Sequence, residues 1–432
     1  MKYYLAIDLG ASSGRHIVAF EENGKIVLDE IHRFKNKMLD TADGLVWDIP
    51  RLLKEVIQGI KLAFLKYDKI ESLSVDTWGV DYVLMNGNKE IKPFYAYRNE
   101  RNNDSSFDVH SIIPFEELYK HTGIQFAPFN TIYQLFADLQ KGRLEKATDY
   151  LMLPSYFIYK LTGVKTHEFT EESTGGYLNP YTKEYDMEII DKLGLPRRLF
   201  GKIEQPGYVV GELLPEIQKQ VGGNTKVILC ASHDTGSAFE SVDVPDDGII
   251  LSSGTWSLLG IKSSTPILNE ETLKANYTNE GGVGYIRFLK NIMGMWIANK
   301  TIENSIMSLS DVDRRIEDVD YKITFDVNDP SLMAPKNMKA AVMKLLSKCP
   351  PKNDLELFDS IYHSMALSYR KAIEELEKIT GKKYHSIYVV GGGARNQYLN
   401  KLIKQYTNKE VVALPIEATA LGNVKVQMKV SE

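Results

Sequence analysis

The chain opens on a strand that ends in a carboxylate and turns through a glycine- and serine-rich loop into a second strand. Tyr3-Tyr4-Leu5-Ala6-Ile7 runs into Asp8-Leu9-Gly10-Ala11-Ser12-Ser13-Gly14-Arg15, and Ile17-Val18-Ala19-Phe20 follows. Two apolar runs of strand length joined by so short a loop confine this stretch to a hairpin. Gly10 and Gly14 permit close backbone approach, and Ser12, Ser13 and Arg15 add donors beside backbone N–H groups, a composition suited to phosphate. Asp8, at the strand end, is placed to hold a hydrated Mg²⁺. An ordinary hairpin without a ligand has the same composition, so the loop alone leaves both readings open. Neither common nucleotide fingerprint is present: there is no Gly-x-x-x-x-Gly-Lys-Ser/Thr, and a strand follows the loop where a dinucleotide fold requires a helix.

The same design recurs after the turn Val244-Pro245-Asp246-Asp247-Gly248. Ile249-Ile250-Leu251-Ser252-Ser253-Gly254-Thr255-Trp256-Ser257-Leu258-Leu259-Gly260-Ile261 reads again as strand, Ser/Gly loop, strand. A chain of 432 residues accommodates two cores, so the echo predicts two similar halves, 1–243 and 244–432, whose loops grip one polyphosphate from opposite sides. Residues 3–34 read as a three-stranded meander with its second turn at Glu22-Asn23-Gly24. A helix begins at Ile49-Pro50, with Leu53, Val56, Ile57, Ile60 and Phe64 on its apolar face, and Ser72-Leu73-Ser74-Val75-Asp76 forms the next strand. Helices are expected near 130–141 and 154–161.

Lys226-Val227-Ile228-Leu229-Cys230-Ala231 reads as a strand that delivers Ser232-His233-Asp234-Thr235 at its end, where polar residues are candidates for chemistry. Asp234 has two readings, a base reaching a hydroxyl or the N-cap of the helix that follows. Leu357, Ile361, Met365, Ala372, Leu376 and Ile379 line one face of a long helix stopped by Gly381. The strand Ser386-Ile387-Tyr388-Val389-Val390 then leads into Gly391-Gly392-Gly393, whose bare backbone suits a nucleobase or ribose.

A net charge of −5, from 52 Lys and Arg against 57 Asp and Glu, with no basic block, points away from nucleic acid and membrane surfaces toward a small-molecule partner. The N-terminus meets Asp8 too early for a signal peptide and no run is long enough to span a membrane, so a cytoplasmic protein is expected. Cys230 and Cys349 make neither a disulfide framework nor a zinc site.

The order of these motifs resembles the FGGY carbohydrate kinases, of the actin-like ATPase superfamily. The resemblance rests on the opening loop, Asp76-Thr77-Trp78-Gly79-Val80-Asp81, Gly123-Ile124-Gln125-Phe126, Pro128-Phe129-Asn130-Thr131, Ala231-Ser232-His233-Asp234-Thr235, Leu251-Ser252-Ser253-Gly254-Thr255-Trp256-Ser257-Leu258, Asn279-Glu280-Gly281-Gly282 and Leu289-Lys290-Asn291-Ile292-Met293-Gly294. It runs to about Asn423. It implies an α/β chain of two actin-like (ribonuclease H-like) ATPase domains with an ATP and sugar cleft between them. The implied reaction is ATP-dependent phosphorylation of L-rhamnulose at its 1-hydroxyl, with L-fuculose and D-xylulose kinases as near alternatives, in a monomer or homodimer.

By the same resemblance Asp234 is the base, and Gly79, His233, Asp234, Thr235 and Asn291 contact the sugar. Ala11, Ser12, Ser13, Gly14, Arg15 and Thr255 hold the phosphates of ATP, Gly391 and Gly392 face the adenosine, and Asp8 positions Mg²⁺ through water. His233 also reads as a satisfied core histidine, Asp76 and Asp81 as strand-end turn formers, and Arg98 and Arg101 as either pocket rim or solvated surface. Of Trp47, Trp78, Trp256 and Trp296, only Trp78 is expected in the pocket lining. Asn299 stands at an ATP-contacting place where the family has glutamine.

After Glu417-Ala418-Thr419-Ala420-Leu421-Gly422-Asn423, which opens a helix in the family, the tail Val424-Lys425-Val426-Gln427-Met428-Lys429-Val430 alternates like a strand and is short. That predicts an uncovered helical face in the second domain and admits a chain that binds sugar or nucleotide without turnover. A filament-forming or chaperone ATPase would keep the loops but have no need of Ser232-His233-Asp234-Thr235.

Overall fold

The computed structural model describes residues 1–414 and 417–431. The chain divides into two compact units: Met1–Ser241 with Lys262–Phe288 and the segment from Ala418, and Val242–Ile261 with Leu289–Glu417. Among the described residues no helix is long and apolar enough to cross a membrane.

The first unit is built on a six-stranded sheet. Its order is Val209–Glu212, Lys226–Ile228, Ser72–Thr77, Tyr4–Leu9, Ser13–Glu22, Lys25–Lys35. The expected meander is there, closed by Asn23 and Gly24 at φ 54° and 72°, the positive-φ pair that a two-residue hairpin turn demands. Tyr4–Leu9 pairs antiparallel with Ser13–Glu22 and parallel with Ser72–Thr77.

Alternation in these central strands sets the two faces of the sheet. Leu5, Ile7 and Leu9 join Leu73 and Val75 in a core shared with Leu52, Val56 and Ile60 of the helix Ile49–Lys66. That helix turns one residue away from the expected stripe: Leu52, Val56, Ile60 and Ala63 are buried, whereas Leu53, Ile57 and Phe64 are half-buried. The opposite face carries Tyr4, Ala6 and Asp8 beside Ser72, Ser74 and Asp76. It receives the closing helix Ala418–Ser431 through Ala420 and Val424.

That helix replaces the strand expected from the alternating tail. Ala420, Asn423, Val424 and Gln427 turn to the sheet, while Gly422 meets Ser237 of the helix Asp234–Glu240. Burial on two sides, with polar Asn423 and Gln427 in the sheet-facing stripe, erases the usual 3.6-residue hydrophobic signal. The tail packs within the first unit and not the second.

The helices Thr131–Gln140 and Leu153–Thr162 form close to where periodicity put them. The strand at 226 is shorter than expected, Lys226–Ile228.

The second unit repeats the opening topology. Gly248–Ser253 pairs antiparallel with Trp256–Ser263 and parallel with Ser386–Val390, which pairs in turn with Glu410–Ala413. The helix Asp354–Thr380 ends at Gly381 in the left-handed conformation, as its sequence predicts.

Candidate active site

Three carboxylates meet at the ends of neighbouring strands of the first unit. Asp8 and Asp76 are register partners in parallel strands, so their side chains leave the same face side by side. Thr77 N donates to Ser232 O at 2.9 Å and Thr77 bridges to His233, which brings the start of the helix Asp234–Glu240 to the same edge. Arg15 Nη2 lies 3.0 Å from Asp8 Oδ2. Burial, then the Asp234 charge, push Asp8 up to about 6 against the pull of Arg15 and Arg33. Asp76 is fully buried and raised well above the usual carboxylate range, by burial first and Asp8 next, although Asn423 Nδ2 donates to its Oδ2 at 2.6 Å. Among the described residues its Oδ1 has no hydrogen-bond partner. Buried carboxylate oxygens in excess of the local positive charge are a hard-oxygen donor set that fits a divalent cation.

Asp234 is the first residue of its helix, with His233 at the cap position, so the N-cap reading of Asp234 is not what forms. Its side chain is the most exposed of the three, at 29% against 5% for Asp8, and Thr235 Oγ1 donates to Oδ1 at 3.1 Å. His233 is 8% exposed and its Nε2 lies 3.5 Å from Asp234 Oδ1. Behind it the four-residue helix Phe169–Glu172 anchors the turn: Thr170 Oγ1 accepts from His233 N at 3.2 Å, and Glu168 accepts from Ser232 N at 3.2 Å and from Thr170 N and Glu171 N. Burial pushes Glu168 up to about 7 despite these donors. Gly79 faces the same histidine, since a Cβ there would stand 3.2 Å from His233 Nε2.

The first phosphate-loop candidate is a tight turn in which Gly10 N donates to Ser13 O at 2.9 Å. Asn36 fastens it, its N–H reaching Ser12 O at 2.9 Å and its Nδ2 reaching Gly10 O at 3.0 Å. Its counterpart in the second unit turns at Gly254, whose N–H donates to Trp256 O. There the carbonyls of Gly254 and Thr255 accept from Met295 N and Trp296 N, which seats the loop on the start of the helix Trp296–Ile302. Of the three glycines after Val390, Gly391 and Gly393 are required by packing, because added Cβ atoms would lie 2.9 Å from Ser253 O and 2.0 Å from Ser253 Oγ. Gly392 is exposed with open space around it.

Residues 3–239 match the N-terminal domain of the FGGY family of carbohydrate kinases, and residues 249–430 match its C-terminal domain. The chain belongs to this family. The FGGY kinase is 41% identical over 98% of its length to a rhamnulokinase of Oceanobacillus iheyensis, covering 92% of that protein. It is 37% identical to the rhamnulokinase of Bacillus subtilis, over 98% of this chain and 90% of the relative. Its fold matches a xylulose kinase from Lactobacillus acidophilus at a TM-score of 0.84 and 19% identity, over 100% of this chain and 90% of the other. A gluconate kinase of the same organism gives 0.83 and 18%, over 100% and 89%. The two α/β units are those of an ATP-dependent sugar kinase.

In the FGGY kinase the structure gathers Asp8, Arg15, Asp76, Gly79, His233, Asp234 and Thr235 within the first unit, with Ala11, Ser12, Ser13 and Gly14 on its hairpin. Asn291, Thr255, Asn299, Gly391 and Gly392 belong to the second unit. Several expectations are corrected. Trp78 does not line a pocket: it is 6% exposed, packs against Trp47 at 4.2 Å between ring centres, and donates to Asp81 Oδ2 at 2.9 Å. Asp81 is no simple turn former, accepting also from Trp47 Nε1, Tyr97 N and Gln134 Nε2; burial still lifts it to about 6. Arg98 and Arg101 are not solvated, Arg101 being paired with Asp138 at 2.5 Å in the interior.

Sequence reasoning missed Asn36, Glu168, Asn423, Glu280 and Arg287. Glu280 lies in a quoted motif without a role. Arg287 carried a readable signal, a lone charge inside the apolar run Ile286-Arg287-Phe288-Leu289, since an arginine on a buried strand must be paired.

Proposed function

We propose that this FGGY kinase transfers the γ-phosphate of ATP to the 1-hydroxyl of L-rhamnulose, giving L-rhamnulose 1-phosphate and ADP in the cytoplasm as part of rhamnose catabolism. The observation that carries the substrate is the likeness over nearly the whole chain to proteins named rhamnulokinase, at 36–41% identity. Asp234 accepts the proton of the attacking hydroxyl. Its partial exposure, and the bond from Thr235 Oγ1 that orients Oδ1, support that role. Gly79, His233, Thr235 and Asn291 contact the sugar, and residues 11–15 with Thr255 hold the phosphates.

Asp8 would hold Mg²⁺, which when bound would supply charge neutralisation for the transferring phosphoryl group. The proposal gives the chain's own residues three tasks: Asp8 and Asp76 fix the negative charge that draws the cation, Arg15 orients Asp8, and the bare backbone at Gly392 admits the adenosine.

The test is ADP release in Mg-ATP with L-rhamnulose, L-fuculose, D-xylulose and glycerol. Preferential turnover of L-rhamnulose is expected. Indifference to it overturns the assignment, binding without turnover marks an impaired enzyme, and ATP hydrolysis unmoved by every sugar marks a different class of actin-like ATPase.

A further inference from the structure

Arg287 is completely buried on the strand Ile286–Met293, and the chemistry above gives it no task. Its guanidinium is committed in three directions. Nε donates to Gly281 O at 2.6 Å, Nη1 lies 3.2 Å from Glu280 Oε2, and Nη2 lies 3.1 Å from Nδ1 of His233 and 3.5 Å from Thr170 O. Glu280 keeps the ion pair: burial pushes its carboxyl up, but the Arg287 charge holds it below the usual range.

A guanidinium has donors only and does not give up its proton. At 3.1 Å the imidazole nitrogen therefore accepts, Nδ1 carries the lone pair, and the ring proton sits on Nε2. Nε2 is the nitrogen on the Asp234 side. The opposite tautomer would set an N–H of the ring against an N–H of Arg287 at 3.1 Å, while Glu280 Oε2 stands farther off, at 3.5 Å.

We propose that Arg287, anchored by Glu280, is a positioning residue that holds His233 as the Nε2–H tautomer, so that a donor and not a lone pair is presented beside Asp234. The proposal rests on reading His233 and Asp234 as the acceptor-sugar site. There the tautomer has a direct consequence. A hydroxyl has one proton to give, and Asp234 takes it; a second acceptor at His233 would compete for that proton, whereas Nε2–H can donate to an oxygen of the sugar and hold it in line.

Long-range ¹H–¹⁵N correlation spectra of the full-length enzyme labelled with ¹⁵N-histidine test this directly, with His233 assigned from H233N. At neutral pH the expected signal has a protonated Nε2 and an unprotonated Nδ1. A His233 protonated on Nδ1, or on both nitrogens, overturns the proposal. This readout needs no sugar, so a failure of L-rhamnulose turnover would sink the substrate assignment and leave the tautomer result standing. R287M is expected to release the tautomer and lower kcat by about 10–100-fold, the scale of losing a partner that orients an active-site imidazole, with the KM for ATP unchanged. R287K, which keeps a donor, is expected to restore part of the loss. A folded R287M with the same tautomer and the same kcat overturns the proposal, and if R287M does not fold the wild-type spectrum decides.

Discussion

Replacing Asp8 by Asn isolates the electrostatic cost of the carboxylate cluster. Asp8 is 4% exposed and is raised from 3.8 to about 6, chiefly by burial and then by Asp234. At about 1.4 kcal/mol per unit, a rise of roughly two units makes the ionised side chain about 3 kcal/mol worse in the folded protein than in the unfolded chain. A carboxyl raised by folding contributes its stability below the unfolded value and loses it as the pH climbs toward the folded value. For Asp8 the loss begins near pH 4 and is complete somewhat above pH 6. Asn has no such transition, so the stability of D8N relative to wild type should grow by about 3 kcal/mol across that window. Removing the Asp8 charge also relieves Asp76, which it raises, and that adds in the same direction. The 3.0 Å contact with Arg15 grows as Asp8 ionises and is already contained in the Asp8 shift, because Arg15 is one of the groups that pull Asp8 down. Urea denaturation of both ligand-free proteins from about pH 4 to pH 8 reads the difference. A difference that stays flat with pH would refute the argument that burial and like charge set this group. D8N should nonetheless be a poor kinase, more stable at neutral pH and less active, the usual opposition where like charges are held together for function.

Three further outcomes follow from the same geometry. D234N should lower kcat by roughly 10²–10⁴-fold with little change in the KM for ATP, as removal of a general base does; a small kcat effect measured by ADP release would move the base elsewhere. G422A should destabilise the protein by about 1–3 kcal/mol or more, because a Cβ there would stand 1.7 Å from Ser237 O; an unchanged urea midpoint would contradict that packing. W78F removes a donor to buried Asp81 and should cost about 1–3 kcal/mol while leaving the KM for sugar unchanged, so a raised sugar KM would return Trp78 to the pocket.

The hairpins, the Asn23-Gly24 turn and the helix stopped by Gly381 were legible in the sequence because each is decided by residues within a few positions of one another. The base candidate was legible only as a pair of readings. Asp234 directly precedes small and polar residues that could equally follow an N-cap, and only the backbone of His233, held by Thr170, gives the cap to the preceding residue. Trp78 misled because adjacency to Gly79 says nothing about direction: the indole turns back to Asp81, as does the indole of Trp47 from a distant loop. The glycine run was legible only as a close approach. A glycine run announces close approach without naming what approaches, and here Ser253 comes close to two of the three.

The alternating tail shows why the deepest part of the first unit could not be read locally. Asn423 Nδ2 donates to Asp76 at 2.6 Å, Asn423 Oδ1 accepts from Gln427 Nε2 at 2.7 Å, and Gln427 Oε1 accepts from Ser72 Oγ at 2.7 Å while its Nε2 also reaches Leu5 O at 3.1 Å. This ladder joins residues about 350 positions apart, and its amides have partners on both sides, the condition under which a buried polar network specifies a structure instead of weakening it. It also explains the sequence of the strands it covers. Ser72 and Ser74 are small and polar on the face where an all-apolar helix would ask for large aliphatic residues, and Ala6 leaves room beside Asp8. An apolar residue at 423 would pack well against that face, yet it would leave buried Asp76 beside Asp8 without this donor, at the expense of an unpaired charge. The opening loop and its carboxylates are therefore specified jointly with the closing helix: the sheet supplies the register that sets Asp8 against Asp76, and the helix supplies the amide that makes the pairing tolerable.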